Sequence, residues 1–360
     1  MRPAKHGSFS LLRGLLAIGA IGAIGASGAT VAGCGPAYCT FRGTINEPAN
    51  RTMRRNLLKK GMGDFCQQLL ERNAPLRLSP DSPVIGRFYP VQCNAPEGDD
   101  LYVNFAGYGY AYTNLSKKMT FTMQASALYR YDFLITEGDR CDIYAYFRTS
   151  RVDASNFVVH RIEGTAANVL NQLTSVGDNF GKQLVGKKLN EGFTVVHYSE
   201  SNSDDFSLGI LPLGQKPFHP YQLKGADKIT YENERVEVHQ NERDFVGPIK
   251  VEGDGKAIFV TAQLDGAPAI DVMLMRKAEG DASLQLYFEY PQVGPLAAPP
   301  MMSDVVQQNV EWKRGIPVPA GMYYVVFDNT STAGTTNPPV SALDDRAAVV
   351  NYLIQIGDGS

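Results

Sequence analysis

From about Val84 to Val159, aromatic and β-branched residues alternate with small or polar ones. The pattern shows in Tyr102–Thr113 (YVNFAGYGYAYT), Met119–Ile135 (MTFTMQASALYRYDFLI) and Cys141–Ser150 (CDIYAYFRTS). A period of two sends successive side chains to opposite faces, and these residue types fit a pleated, half-buried surface, so the spacing predicts strands. The alternation returns after residue 234 in RVEVHQ, DFVGPIKVE, KAIFVTAQLDG, AIDVMLMRK, SLQLYFEY, GMYYVVFDNT and AVVNYLIQI, separated by Gly, Pro and Asp. Seven such segments within about 120 residues predict a β-sandwich, with no helical signal among them.

Two stretches follow the helical period instead. In residues 50–73, Met53, Leu57, Leu58, Phe65, Leu69 and Leu70 lie at spacings near 3.6 with a basic opposite side, interrupted at Gly61 and Gly63. In residues 165–190, Val169, Leu173, Val176, Phe180, Leu184 and Leu189 do the same, and Gly192 fits a C-terminal stop. Short strands are expected in GFTVVHYS and DFSLGILPL. The expected fold class is therefore two domains, an α+β domain (antiparallel sheet with two amphipathic helices) over 50–216 and an all-β sandwich over 235–358. The polar, Pro-containing passage 217–234 would join them.

The N-terminus has a separate logic. Arg2, Lys5 and Arg13 precede a charge-free run from Leu15 to Gly33, the layout of a signal peptide. The run is nearly as long as the roughly 20 residues a spanning helix needs, but it is rich in Gly and Ala, which weakens it as a permanent span. Its end, Val31-Ala32-Gly33-Cys34, resembles the lipobox of bacterial lipoproteins. The resemblance covers the first 34 residues. It implies cleavage after residue 33, lipidation of Cys34 and attachment to the membrane through two or three acyl chains, each buried methylene contributing about 0.8 kcal/mol. By the same family's sorting rule, Gly35 rather than Asp after the lipidated Cys implies the outer membrane, with a soluble body in the periplasm or at the surface.

Setting Cys34 aside leaves Cys39, Cys66, Cys93 and Cys141, an even number that can pair completely in an oxidising compartment. Three pairings are possible, and the shorter loops favour Cys39 with Cys66 and Cys93 with Cys141. Cys39 is five residues past Cys34, so residues 34–49 form a short tether that holds the body within about 18 Å of the lipid surface. Without residues 1–33 the chain has 31 Lys and Arg against 37 Asp and Glu, a formal charge of −6. That balance gives no attraction to nucleic acid or to an anionic leaflet.

No motif for chemistry emerges. There is no Gly-x-Ser-x-Gly or Ser-x-x-Lys run for a nucleophile and no His-Glu-x-x-His for zinc, and Gly177–Lys182 has the wrong glycine spacing for a phosphate loop. His160, His197, His219 and His239 are scattered. The acidic pairs Asp99-Asp100, Asp204-Asp205 and Asp344-Asp345 lack the spacing of a calcium loop and read as solvated turns. No metal or other cofactor is expected. Tyr108, Tyr110 and Tyr112 share one face of a strand, with Gly107, Gly109 and Ala111 on the other. Such a row is either a stacking platform for a sugar or flat apolar ligand, or a face packed beneath a helix. Val318–Thr330 (VPAGMYYVVFDNT) resembles the closing hairpin of accessory β-sandwich domains in secreted bacterial proteins, which implies architecture and not activity. The functional expectation is a non-enzymatic envelope protein that binds or assembles with an envelope partner. The alternatives are a carrier of lipid or another hydrophobic ligand, and third a hydrolase.

Overall fold

The computed structural model describes residues 37–359, apart from 64, 72, 77–84, 114–116, 138–140, 164–189, 200–202, 224–226, 291–292 and 339–346. Cys34, the helix expected at 165–190 but for its last residue, the Gly177–Lys182 segment and Asp344-Asp345 lie outside the described residues. Among those described, no helix is long and apolar enough to cross a membrane.

The chain is mostly β. Four short helices come first: α1 (Ala37–Thr40), α2 (Arg42–Asn46), α3 (Arg51–Gly61) and α4 (Phe65–Leu70). Seven antiparallel strands follow in simple sequential order: β1 (Ala74–Pro75), β2 (Ile85–Asn94), β3 (Leu101–Thr113), β4 (Lys117–Ile135), β5 (Ile143–Ile162), β6 (Phe193–Tyr198) and β7 (Ser203–Leu208). The long pair β4 and β5 carries three register irregularities, and each such bulge increases local twist and bend, curving the sheet into a half-barrel.

One face of the half-barrel takes the helices. Leu58 of α3 and Ile45 of α2 pack on Tyr129, Tyr131, Phe133 and Ile135 of β4 and on Phe147 of β5. The basic side of α3, expected to face water, sends Arg54 inward instead. It forms a two-pronged pair with Asp132 at 2.8 and 3.0 Å and donates to the carbonyls of Ile45 and Glu47 at 2.6 and 2.8 Å. The helix therefore docks through one buried cation as well as through leucine.

The second half contains β8 (Ile229–Val238), β9 (Glu242–Val251), β10 (Lys256–Asp265) and β11 (Ala269–Arg276). Helix α5 (Lys277–Glu289) follows, then β12 (Met302–Gln307), β13 (Trp312–Val318), β14 (Gly321–Asn329) and β15 (Ala348–Asp358). The strands form two four-stranded antiparallel sheets, β13-β10-β15-β8 and β12-β11-β14-β9. Ile258, Val260, Tyr352 and Ile354 of the first sheet meet Val272, Leu274, Val325 and Phe327 of the second in a dry core.

Three sequence expectations change here. SLQLYFEY is not a strand, because it forms the C-terminal half of α5, whose buried positions Gly280, Ser283, Leu284 and Tyr287 follow a 3.6-residue period that begins upstream of the segment. Strands β12 and β13 lie where no strand was expected. The Val318–Gly321 turn is not a hairpin, since β13 belongs to one sheet and β14 to the other. Tyr323 Oη closes this sheet-crossing turn by donating to the Pro319 carbonyl at 2.7 Å.

β11 and β14 do not alternate cleanly because both of their faces are covered. Ile270, Val272 and Leu274 point into the sandwich, whereas Met273, Met275, Tyr324 and Val326 point out against α5 and the half-barrel.

Candidate functional site

The cysteines pair as Cys39–Cys141 and Cys66–Cys93, which corrects the pairing expected from loop length. Short loops cost least entropy to close, but the fold decides which cysteines meet. The Asn46 side chain binds both the N–H and the carbonyl of Ile135, pinning the N-terminal helices to the end of β4, close to where Cys141 leads into β5. Helix α4, which carries Cys66, lies on β2, which carries Cys93.

The three tyrosines sit where the half-barrel meets the sandwich. Tyr108 packs edge-on against Phe288 of α5 with centroids 5.0 Å apart, Tyr110 packs edge-on against Tyr287 at 5.2 Å, and Tyr112 stacks on His239 at 3.8 Å. This face is therefore an interface within the chain rather than an open one, and the helix that covers it is α5 rather than an N-terminal helix. The opposite, glycine face is not met by a distant backbone. The Phe121 ring lies over Gly109 and the Phe88 ring over Gly107, so closely that a Cβ would come within 2.4 Å of Phe121 at the first position and 2.6 Å of Phe88 at the second.

At the centre of the junction is Arg87 of β2, only 1 % exposed. Its Nε and Nη2 donate to the two oxygens of Asp244 on β9 at 2.9 and 2.5 Å, and Nη1 donates to Asn73 Oδ1 at 2.5 Å and to Glu232 of β8 at 3.3 Å. The remaining N–H reaches Tyr352 Oη of β15 at 3.1 Å, and Tyr352 in turn donates to Glu232 at 2.5 Å. All five guanidinium donors are thus used. Asn73 also donates to the Gly247 carbonyl. Tyr110 Oη donates to Asp244 at 2.6 Å and accepts from the Phe245 amide at 3.0 Å, while Tyr89 Oη donates to the Phe245 carbonyl at 2.7 Å. Burial alone would push the Arg87 pKa down. The negative charges of Asp244 and Glu232 outweigh it and hold the guanidinium pKa well above its ordinary value. Burial drives the Tyr89 and Tyr110 phenols well above theirs, so both remain neutral donors.

Beside this cluster lies a cavity of about 20 Å³, lined by Tyr110, Tyr112, His239, Glu242, Arg243 and Asp244 among others, which is room for a single water. Glu242 accepts from Tyr287 Oη, and Lys118 Nζ sits 3.9 Å over the Tyr287 ring while pairing with Glu163 at 2.8 Å. This arrangement fixes the two halves of the molecule and leaves no room for a substrate-sized molecule in that cavity. Among the described residues, no group of three or more His, Cys, Asp and Glu side chains converges as a metal site.

The remaining sequence candidates are separated. His160 Nε2 is 2.9 Å from the Thr122 hydroxyl. Asp204 and Asp205 do not form a solvated turn: they lie within β7 and engage different histidines, Asp204 with His197 at 2.7 Å and Asp205 with His219 at 2.6 Å. Asp99-Asp100 lies in a bend, where Arg55 donates to the Asp99 carbonyl at 2.5 Å and pairs with Asp100 at 2.6 Å. Sequence reasoning passed over Arg87, Asp244 and Glu232. The one local signal was a lone Arg inside the otherwise apolar strand IGRFYP.

Together these features define a class in structural terms: an antiparallel half-barrel joined to a β-sandwich through a buried ionic junction. No family model matches the chain, and no curated protein matches it significantly.

Proposed function

We propose that the chain is a lipid-anchored, non-enzymatic component of the bacterial cell envelope that holds its β-sandwich out as a binding or assembly module. The observation that carries this reading is the polarity of the half-barrel. The Cys39–Cys141 bridge ties the chain five residues after Cys34 to the Ile135 end of the β4–β5 pair. The sandwich meets the other end of β4, where Lys118 lies over Tyr287 of α5, and reaches back to the near end only through the segment after β7, where His219 engages Asp205, in register through Val196 and Tyr144 with Leu134. Along β4 those ends are 17 residues apart, a contour of about 55 Å before curvature shortens it. Such a body, with Cys34 acylated in the outer membrane, presents the sandwich away from the lipid surface. In this reading the half-barrel and the sandwich are two domains whose boundary lies within 217–228, since β8 of the sandwich begins at Ile229, inside the passage 217–234 expected to join them. Limited proteolysis that cuts first in that passage supports the division.

The primary test is mass spectrometry of the protein from its native membrane, followed by in-cell photo-crosslinking from the sandwich and from α3. An N-terminal peptide beginning at acylated Cys34, with discrete protein adducts from the sandwich positions, is expected. An uncut leader refutes the anchor, and lipid-free monomer without adducts refutes the assembly role.

A second reading, a carrier of hydrophobic ligand, draws on the cluster of Phe88, Phe105, Phe121, Phe157, Met119 and Met123 on the half-barrel. Aromatic rings and flexible thioethers adapt to acyl chains. Native mass spectrometry of detergent-free preparations distinguishes it: co-purified lipid supports the carrier, and repeated absence removes it.

A further inference from the structure

The segment between β7 and β8 carries His219, and both of its ring nitrogens face oxygen acceptors. Nδ1 is 2.6 Å from the carbonyl oxygen of Asn233 on β8, and Nε2 is 2.6 Å from Oδ2 of Asp205 on β7. A neutral imidazole has one N–H, so a neutral ring would press a lone pair against one of these oxygens at hydrogen-bond distance. The same Asp205 oxygen accepts from Tyr198 Oη of β6 at 2.9 Å, and Lys216 lies over the Tyr198 ring at 4.7 Å. On the other side, the segment is fastened to the sandwich without His219. The Tyr221 backbone exchanges hydrogen bonds with the Asn233 side chain at 3.2 and 2.9 Å, and Tyr221 Oη donates to the Asn351 carbonyl at 3.1 Å. β7 ends the strand order of the half-barrel.

We propose that His219 is a proton-operated latch: as an imidazolium it ties strand β7 of the half-barrel to strand β8 of the sandwich, and loss of the Nε2 proton releases the β7 side. After that loss, Nδ1–H still donates to Asn233 and the Tyr221 bonds hold the segment on β8. The Nε2 lone pair then faces the Asp205 carboxylate, and the attraction becomes a repulsion.

The surrounding charges favour the latched form. Acting on His219 from the packed elements are Asp205 on β7 and Glu234 on β8, while Tyr198 on β6 shares the Asp205 oxygen and Glu232 on β8 acts on Glu234. Arg87 on β2 acts on Glu234, and Glu311 on Tyr221. Burial alone lowers the imidazole pKa, but the hydrogen bond and charge of Asp205, then Glu234 and the Asn233 carbonyl, raise it to about 9. Burial likewise lifts Glu234 to about 7. The latch therefore stays closed through neutral and mildly acidic conditions and opens on the alkaline side.

The test is ¹⁵N NMR of the imidazole in the full chain, together with hydrogen exchange of the β7 amides corrected for intrinsic rates. Both His219 nitrogens should be protonated at about pH 7.5, and β7 protection should fall at least about tenfold between about pH 7 and pH 10. In His219→Gln, β7 should be less protected at neutral pH and show no further step. A His219 ring with one bare nitrogen at neutral pH, or β7 protection in the unaltered chain that shows no step, overturns the latch. Should His219→Gln fail to fold, Asp205→Asn serves instead. It must move the His219 titration toward the ordinary imidazole range, and an unmoved titration refutes the proposal.

Discussion

The half-barrel and the sandwich reach a closed interior by different means. The half-barrel is an open curved sheet of long strands, and it is fastened by two disulfides and by Arg54–Asp132 beneath α3. The sandwich closes on itself, so apolar contact between its two sheets suffices, and no cysteine lies beyond Cys141. Its buried charges have a narrower task. Arg243 pairs with Asp328 at 2.7 Å and reaches Thr332 at 2.8 Å, and Asp271 accepts from the amides of Thr335 and Thr336 at 3.0 and 2.9 Å, holding the loop after β14. An open sheet needs covalent and ionic fastening where a closed sandwich needs only loop anchors. The junction at Arg87 is where the open sheet borrows closure from the sandwich.

The strongest way to break this comparison is to remove the long-range staple. Replacing Cys39 and Cys141 with serine opens a loop spanning 102 residues and is expected to cost the half-barrel about 4 kcal/mol in urea denaturation, with the sandwich transition unchanged. A loss shared equally by both would mean that the two regions unfold as one. Next is Arg87→Met, which leaves Asp244 and Glu232 buried without their cation. A loss of about 3–5 kcal/mol and a wider separation between the half-barrel and sandwich transitions are expected, and a change below about 1 kcal/mol would show that the junction is not held by this ion cluster. Within the sandwich, Asp271→Ala is expected to cost about 1–3 kcal/mol and to expose the Thr335 and Thr336 amides to exchange while leaving β7 unaffected.

The pH dependence sharpens the contrast further. Against the lowering effect of burial, Asp205 and the other acceptors raise the folded-state pKa of His219 to about 9, and burial itself raises that of Glu234 to about 7 and that of Asp328 to about 6. Each binds its proton more tightly when folded, so its contribution is fully present below the ordinary value and is lost as pH rises through the raised one. The His219 contribution therefore disappears between about pH 6.5 and 9, that of Glu234 between about 4.5 and 7, and that of Asp328 between about 3.8 and 6. Thermal midpoints should rise as pH falls from about 9 to about 6, and His219→Gln should flatten that rise; a midpoint that falls over the same window contradicts it. The smallest expected effect is that of Tyr110→Phe, about 1 kcal/mol, from loss of the hydroxyl between Asp244 and the Phe245 amide.

Most strands of both halves, β12 and β13 excepted, were readable because a period of two depends only on neighbouring residues and on which face is wet. β4 follows it from Phe121 to Tyr131, β10 from Ile258 to Asp265 and β15 from Ala348 to Gln355. The same rule failed at SLQLYFEY, where Leu284 and Tyr287 share a helical face whose other members, Gly280 and Ser283, lie partly upstream and are not apolar enough to announce it. It was also blurred in β11 and β14, whose outer faces are covered by elements far away in the chain.

Local pattern thus sufficed for the predominance of antiparallel strands, the row of tyrosines and the complement of cysteines able to pair, because each follows from side-chain chemistry at short range. Which cysteines meet, what covers Tyr108, Tyr110 and Tyr112, and which carboxylates surround Arg87 depend on residues up to 265 positions apart. Their charges and rings acquire partners only when the half-barrel and the sandwich close on each other and exclude water, and no short-range signal encodes that closure.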